Sequence, residues 1–439
     1  MPAIPAPALL PDARPVRVTG PRIARLVARS ATATEAQRAT LVADFWNEVE
    51  RLGAPLIEEL VGEPEYRAVT FLWRGHRATR QVLLFACGIA DHERLAESLL
   101  EQVPGTDVWH LGLRLRTDHR GSYRMAADIS SKAPPTDPDG LQKLLRSLVA
   151  HTAPDPLNPR RIPDRWRSEP SSVFALPHAP DQRWAGRAGS VPAGRVERHR
   201  VPTAALGGDR DTWVYLPPGH ADDGDETPLP VLVLMDGDMW FGRLGLGGTL
   251  DALMADGALP PLAVLAPDAV DRHVRHRELG ANGAFLTFLA DEMLPWATAR
   301  RPLTTDPRRT VVAGQGLGAT TALYAAYARP ERFGNVLAQS ASLWWRPGLR
   351  PGPGPAPLVL GTPWLVNRFR SAGPLPVTFH LDVGLHEGSA IEHHRALYDA
   401  LRATGNQVTR TEFNGGHDYA CWHPALAEGL VRLLGTTDH

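Results

Sequence analysis

Residues 309–324 read RTVVAGQGLGATTALY. An apolar run of strand type ends in three alternating glycines, Gly314, Gly316 and Gly318, and a helical stretch follows at once. A backbone turns this sharply from strand to helix only where side chains are small. The rest of the C-terminal half keeps the same rhythm. Strand-like runs at 212–216, 231–235, 262–267, 310–313, 335–338, 377–383 and 408–413 alternate with helical patterns at 285–298, 319–328, 391–403 and 425–434. This alternation predicts a mostly parallel sheet with helices on both faces.

The first half differs. Residues 1–30 are rich in Pro and Ala and read as a loose N-terminal arm. Apolar positions at helical spacing (Leu41, Phe45, Val49, Leu52) predict a helix within 34–62. Short β-rich runs at 66–73, 81–86, 108–116 and 123–128 predict a small β-sandwich-like domain. The expected organisation is an arm over 1–30, a β-rich N-terminal domain over 31–165, a linker over 166–195 and an α/β domain over 196–439.

The chain has 439 residues, enough for two domains at ~100–200 residues each. It carries 47 Lys and Arg against 48 Asp and Glu, a balance unlike that of a general nucleic-acid binder. Two cysteines, Cys87 and Cys421, exclude a disulfide scaffold and a cysteine-built zinc or iron–sulfur site. No run of about 18 apolar residues occurs, so no membrane span is expected. The N-terminus lacks a basic start and its apolar stretch is broken by prolines, so a cytoplasmic location is the expectation.

Three features then align in chain order. The turn at 314–318 has the context of the G-x-S-x-G nucleophile elbow, with Gly316 at the central position. Glu387 follows the strand at 377–383 and stands where a triad acid belongs, with Asp382 as the alternative inside that strand. His417, in GGHD at 415–418, follows the last strand and precedes the final helix, the usual place of the general base. Gly237, at the end of an early strand, and Leu317 are placed to offer backbone N–H groups as an oxyanion hole. A dinucleotide fingerprint would need G-x-G-x-x-G early in its domain, and neither spacing nor position fits. Together these features predict an α/β-hydrolase domain preceded by the smaller β-sandwich-like one.

At these residues the chain resembles the enterochelin (enterobactin) esterases, relatives of esterase D. The resemblance covers about 65–435. It rests on GTDVW at 105–109, RGSY at 120–123, DPLNP at 155–159, DGDMW at 236–240 and RHREL at 275–279. It continues through 309–318, PERFG at 330–334, QSASLWW at 339–345 and GGHD at 415–418. The resemblance implies hydrolysis of ester bonds in catecholate siderophores, ferric or free, to release iron inside the cell. It implies His417 as base, Glu387 as acid, and Gly316 where the family places its nucleophilic Ser.

Glycine cannot form an acyl-enzyme. Three readings follow: an esterase with a substituted nucleophile, a siderophore-binding protein without turnover, or a diverged hydrolase or acyl transferase in which His417 activates water. Ser340 and Ser342 are weaker candidates as replacement nucleophiles. Arg275, His276 and Arg277 fall in a loop expected at the site edge, where guanidinium groups suit an anionic ferric catecholate, Arg277 above all. Trp240, Trp344 and Trp345 are candidates to stack on catechol rings. Arg120 and Tyr123 are candidates to cover the site from the first domain. Among 17 histidines, His273 and His276 lie three apart but lack the partners of a metal site, so no catalytic metal or cofactor is expected; iron would arrive with the substrate. The siderophore is the expected partner, and oligomeric state is left open.

Overall fold

The computed structural model describes residues 15–435 apart from 91–93, 132, 188, 221–226 and 350–360. The chain forms two units: Met1–Pro180 with Asn414–Cys421, and Asp181–Phe413 with Trp422–His439.

The strands of the N-terminal unit are β1 (Val16–Arg17), β2 (Leu56–Glu59), β3 (Tyr66–Arg74), β4 (Gln81–Ala86), β5 (Glu101–Gln102), β6 (Val108–Arg116), β7 (Arg120–Asp128), β8 (Arg161–Ile162) and β9 (Ser171–Ala175). They make two antiparallel sheets, ordered β1-β6-β3-β2 with β5 beside β6, and β4-β7-β9-β8. One core joins Val69, Phe71, Leu111 and Leu113 of the first sheet to Val82, Leu84, Met125 and Phe174 of the second. Phe71, Tyr123 and Phe174 meet edge to face at its centre, with ring centroids 4.9–5.9 Å apart.

The DPLNP segment closes this core. Tyr123 donates its hydroxyl to Asp155 Oδ2 at 2.6 Å, and Asn158 Nδ2 donates to the Tyr123 oxygen at 3.2 Å. Asp155 and Asn158 are fully buried. Burial pushes the Tyr123 phenol well up, and pushes the Asp155 carboxyl up despite its hydrogen bonds. Arg120 and Tyr123 thus belong to β7, with Tyr123 a core residue.

The α-helices of this unit among the described residues are α1 (Pro21–Thr32), α2 (Glu35–Leu52) and α3 (Pro138–Val149). The reading of 1–30 as a loose arm is corrected over 21–30, which lie in α1; residues 1–14 lie outside the described residues. Pro21 opens α1, and the Glu58 carboxylate accepts from Arg22 N and from the Arg22 guanidinium. Ile23, Leu26 and Ser30 recur at helical spacing and are buried, so this helix is amphipathic with its apolar side packed inward. A reciprocal Thr34–Gln37 capping box starts α2. That helix ends at Leu52, and 56–59 form β2, so the helix expected within 34–62 is shorter than that span. β9 falls within the stretch read as a linker because it completes the second sheet against β7.

The other unit holds β10 (Arg195–Thr203), β11 (Gly208–Leu216), β12 (Val231–Leu234), β13 (Ala263–Pro267), β14 (Thr310–Gln315), β15 (Asn335–Gln339), β16 (Thr378–Gly384) and β17 (Gln407–Phe413) in one sheet. Its order is β10-β11-β13-β12-β14-β15-β16-β17. The β10–β11 and β11–β13 pairs are antiparallel and all others parallel. The helices are α4 (Gly237–Trp240), α5 (Leu246–Ala255), α6 (Arg272–Glu278), α7 (Gly283–Thr287), α8 (Leu294–Thr298), α9 (Leu317–Ala328), α10 (Trp364–Ser371), α11 (Ser389–Ala403) and α12 (Tyr419–Leu434). A π-turn, Phe288–Met293, joins α7 to α8, so the single helix expected over 285–298 is three pieces in line. β10 has no apolar run to announce it: its sequence is RVERHRVPT, at the sheet's edge. Apolar residues fill β12 to β15, as expected of parallel strands covered on both faces.

Tyr123→Phe keeps the aromatic cluster but strips a donor from the buried Asp155. Urea denaturation should show a loss of about 1–3 kcal/mol with an unchanged slope, the usual cost of leaving a buried acceptor unpaired. An unshifted midpoint would show that the Tyr123–Asp155 bond carries no net stability.

Candidate active site

In the C-terminal unit, β12 has β13 on one side and β14 on the other. The chain passes from β12 outward to β13 and then returns to β14. In open α/β sheets such a reversal leaves a crevice at the carboxyl ends of the strands, where ligands bind. Backbone strain gathers at these ends. The three non-glycine residues with positive φ among those described are Asp236 (67°), Val270 (64°) and Ser340 (49°), and they follow β12, β13 and β15. Gly316, after β14, has φ 58° and ψ −118°, a conformation that strains a residue with a Cβ.

Close backbone approach explains the flanking glycines. A Cβ on Gly314 would come within 2.5 Å of the Gly318 carbonyl carbon, and one on Gly318 within 2.9 Å of Met235 Cβ. The Gly316 N–H donates to Gln339 O at 3.1 Å, and its carbonyl accepts from Ser342 N and Thr320 N at 3.0 and 3.2 Å. Gly237 and Leu317 open α4 and α9, so their N–H groups have no carbonyl a turn earlier in the helix to bond. A Cβ on Gly237 would lie 2.1 Å from Ala266 O, which requires glycine there.

Two polar assemblies hold these ends. Gln315, Gln339 and Asp382 are register partners on β14, β15 and β16. Trp240 Nε1 donates to Gln315 Oε1 (2.9 Å), Gln315 Nε2 to Gln339 Oε1 (2.8 Å) and Gln339 Nε2 to Asp382 Oδ2 (3.1 Å). All four residues are buried, so this is a connected polar row inside the fold. The second assembly is a forked ion pair. Arg275 Nε and Nη2 donate to the two Asp236 oxygens at 2.8 Å each, and Nη2 also reaches Gln315 O at 3.3 Å. One guanidinium thereby ties the residue before Gly237 to the residue before Gly316.

Glu387 lies in the turn after β16. Its Oε1 accepts from Gly384 N at 2.7 Å and from Ser340 Oγ at 2.6 Å. Asp382, the alternative acid, is buried within β16 and accepts from Gln339. His417 lies between β17 and α12, on the segment that groups with the N-terminal unit. Its carbonyl accepts from Cys87 Sγ at 3.3 Å. The neighbouring Asp418 carboxylate accepts from Ser122 N and Ala420 N at 2.7 and 2.9 Å, and burial pushes its carboxyl up.

Several residues expected at the substrate stand elsewhere. Trp240 is fully buried with its indole N–H bonded to Gln315, so its ring offers no face to a ligand. Trp345 is 9 % exposed; its ring lies against Gly280 and meets Trp364 edge-on, so it too is a core residue. Trp344 is half-buried. Residues 275–277 form helix rather than loop, and Arg275 is the Asp236 clamp. Arg277 is the exposed member, 3.4 Å from Glu278 Oε1, a carboxylate already gripped by Arg210. Burial and the neighbouring Arg275 and Arg272 lower the His276 imidazole. Among the described residues, no three His, Cys, Asp or Glu side chains gather to hold a metal ion. Ser340 and Ser342 are buried.

Comparison with known proteins decides the family. The family described as "Enterochelin esterase, N-terminal" matches residues 68–185, and that described as "Putative esterase" matches residues 203–433. The iron(III) enterobactin esterase of Dickeya dadantii is 34% identical over 427 residues, covering 90% of this chain and 93% of that protein. The chain belongs to the enterochelin esterase family. The iron(III) salmochelin esterase of Escherichia coli is also 34% identical, over 89% of this chain and 93% of its own. In structure, this family member matches the enterobactin esterase of Shigella flexneri crystallised in the presence of enterobactin. The TM-score is 0.73 at 28% identity, covering 89% of this chain and 97% of that one. The ferric enterobactin esterase of Salmonella typhimurium gives 0.72 at 29% identity, over 86% and 96% of the two chains.

Sequence reasoning missed the Asp236–Arg275 clamp and the Gln315–Gln339–Asp382 row. The signal for the row was a Gln closing each of two strands with apolar centres, TVVAGQ and NVLAQ. Arg275→Met would leave the buried Asp236 carboxylate uncompensated. Breaking such a pair costs about 3–5 kcal/mol, which chemical denaturation followed by tryptophan fluorescence should register. A variant as stable as the parent would remove the clamp from this account.

Proposed function

We propose that this enterochelin esterase family member acts on the ester bonds of catecholate siderophores, in the ferric or free form, and so helps release their iron. The observation that carries this reading is the strand-to-helix elbow at Gly316, set in a chain that spans nearly the full length of enterobactin and salmochelin esterases. In this reading Gly316 occupies the nucleophile position, His417 is the base, Glu387 the acid that orients it, and the N–H groups of Gly237 and Leu317 form the oxyanion hole. Arg277, with its exposed guanidinium, is the proposed contact to the anionic catecholate. The Gln339 bond to Asp382 and the strand position of Asp382 favour Glu387 as the acid.

The chemistry open to this chain follows from its missing side chain. The base would take a proton from a water molecule, whose oxygen adds to the ester carbonyl. The tetrahedral oxyanion, held by the two N–H groups, collapses and expels the alcohol, which takes the proton back from the base. Where a protease triad loses one member, about 10³–10⁴-fold over water remains from the oxyanion hole and binding. This chain should therefore turn over slowly. Its proposed setting is the cytoplasm.

The backbone at Gly316 keeps the conformation in which an elbow serine would be strained. Gly316→Ser should raise the rate of enterobactin hydrolysis by at least about a hundredfold, since a nucleophile and its base act as a unit. It should also lower stability by about 1–3 kcal/mol, because a side chain at φ 58° is strained. Product chromatography and thermal melts measure both, and a serine variant without any gain in hydrolysis would overturn the esterase reading.

The same glycine favours a second reading, in which the chain binds the siderophore without cleaving it. Ferric enterobactin should then quench the intrinsic fluorescence of the parent protein with a saturating curve at about micromolar concentrations, while chromatography finds no product. Absence of quenching would remove the siderophore as ligand.

A further inference from the structure

The Ser340 side chain is fixed on every side within the C-terminal unit. Its residue follows β15 with φ 49°, an uncommon conformation for a residue with a Cβ. Its N–H donates to Asp382 O at 2.7 Å, and the next residue, Ala341, donates its N–H to His394 Nε2 at 2.8 Å. The His394 ring is held in turn by Ala390 O at 2.7 Å from Nδ1. These contacts impose the left-handed turn and set where the hydroxyl stands. Trp422 Nε1 then donates to Ser340 Oγ at 2.8 Å, and the Ser340 hydroxyl proton goes to Glu387 Oε1 at 2.6 Å. With Ser340 1 % exposed, its oxygen is not presented as a nucleophile.

We propose that Ser340 is the positioning residue of the Glu387 carboxylate, with Trp422 orienting the serine hydroxyl toward it. The proposal rests on the reading of Glu387 as the acid above. Glu387 follows a strand end on a turn of its own, 385–388, and a carboxylate on a turn keeps rotational freedom that a strand residue lacks. Two donors on the same oxygen, Ser340 Oγ–H and Gly384 N–H, remove that freedom. The indole matters because a serine hydroxyl rotates to suit its surroundings. An N–H pointed at Oγ occupies one lone pair and leaves the hydroxyl proton to turn toward the carboxylate. The positive φ of Ser340 is thus maintained for the place it gives the hydroxyl, a cost of the kind that strand ends at functional sites carry.

Two variants separate the hydroxyl from the backbone. Ser340→Gly satisfies φ 49° without strain and lacks the hydroxyl; Ser340→Gly with Trp422→Phe also removes the indole donor left unpaired, which keeps the test available if the single variant folds poorly. A crystal structure of either full-length variant should show the Glu387 carboxylate displaced or split between rotamers. An undisturbed carboxylate would overturn the proposal. In the Gly316→Ser background, either variant should lower kcat for enterobactin about tenfold to a hundredfold with KM unchanged, the scale expected of a reacting group misplaced by about 1 Å. Full kcat in an active background would also overturn it, whereas a rise in KM alone would assign Ser340 to substrate binding and reject it as a positioning residue. If the Gly316→Ser background proves inactive while the carboxylate moves in the crystal, the esterase reading fails and the Ser340 contact stands.

Discussion

The ends of β12 and β14 each lead into a sharp turn, and both turns are held in positive-φ backbone conformations that are unfavourable for a residue with a Cβ. Asp236 sits at φ 67° and Gly316 at φ 58°. The Arg275 guanidinium spans the two, with its fork on the Asp236 carboxylate and one nitrogen toward the Gln315 carbonyl. A planar fork suits this task where a flexible ammonium would not, because each of its bonds constrains the direction of the next. Asp236 is wholly buried, so the pair has little water to compete with it. The positions of the Gly237 and Leu317 N–H groups follow from these neighbours, one residue further along in each case.

Beneath the clamp lies the row of Trp240, Gln315, Gln339 and Asp382. Buried amides are costly unless every group finds a partner, and here each bond continues to the next strand. The row therefore fixes how β14, β15 and β16 end relative to one another. A shift of one residue in any pairing would strand an amide in an apolar sheet. Strand ends held in this way are a firm base for the turns at Gly316, Ser340 and Glu387.

Much of the parallel sheet was legible because β12 to β15 are buried on both faces and are dominated by apolar residues. Its edge was not: β10 alternates Arg, Glu and His and looks like linker, since an edge strand is kept polar to discourage further pairing. α1 was passed over although Ile23, Leu26 and Ser30 recur at helical spacing, because the Pro- and Ala-rich residues before it read as an arm; its contact to Glu58 lies far along the chain. In the candidate site, the turns after β14 and β16 could be placed because glycines and strand ends are local signals. The partners could not. Arg275 was visible as a cation, but its carboxylate lies 39 positions earlier. The polar row depends on strand register, which no single sequence displays. Trp240 and Trp345 were misread for a related reason, since an indole in a loop motif carries no sign of which way it packs.

The N-terminal unit is assembled from two separate stretches of chain. Asn414 donates its side-chain amide to Asp118 and shares a hydrogen bond with the buried His119, and Asp418 receives the Ser122 N–H. The eight residues from Asn414 to Cys421 are thus covalently an excursion from the last strand yet structurally part of the N-terminal unit. No single cut divides the chain into its two halves. A fragment ending at Pro180 would present Asp118, His119 and Ser122 without their companions, and the remainder would carry a polar excursion with nothing to complete. Dissection, circular permutation or grafting of either half has to move this excursion with the sheets it serves.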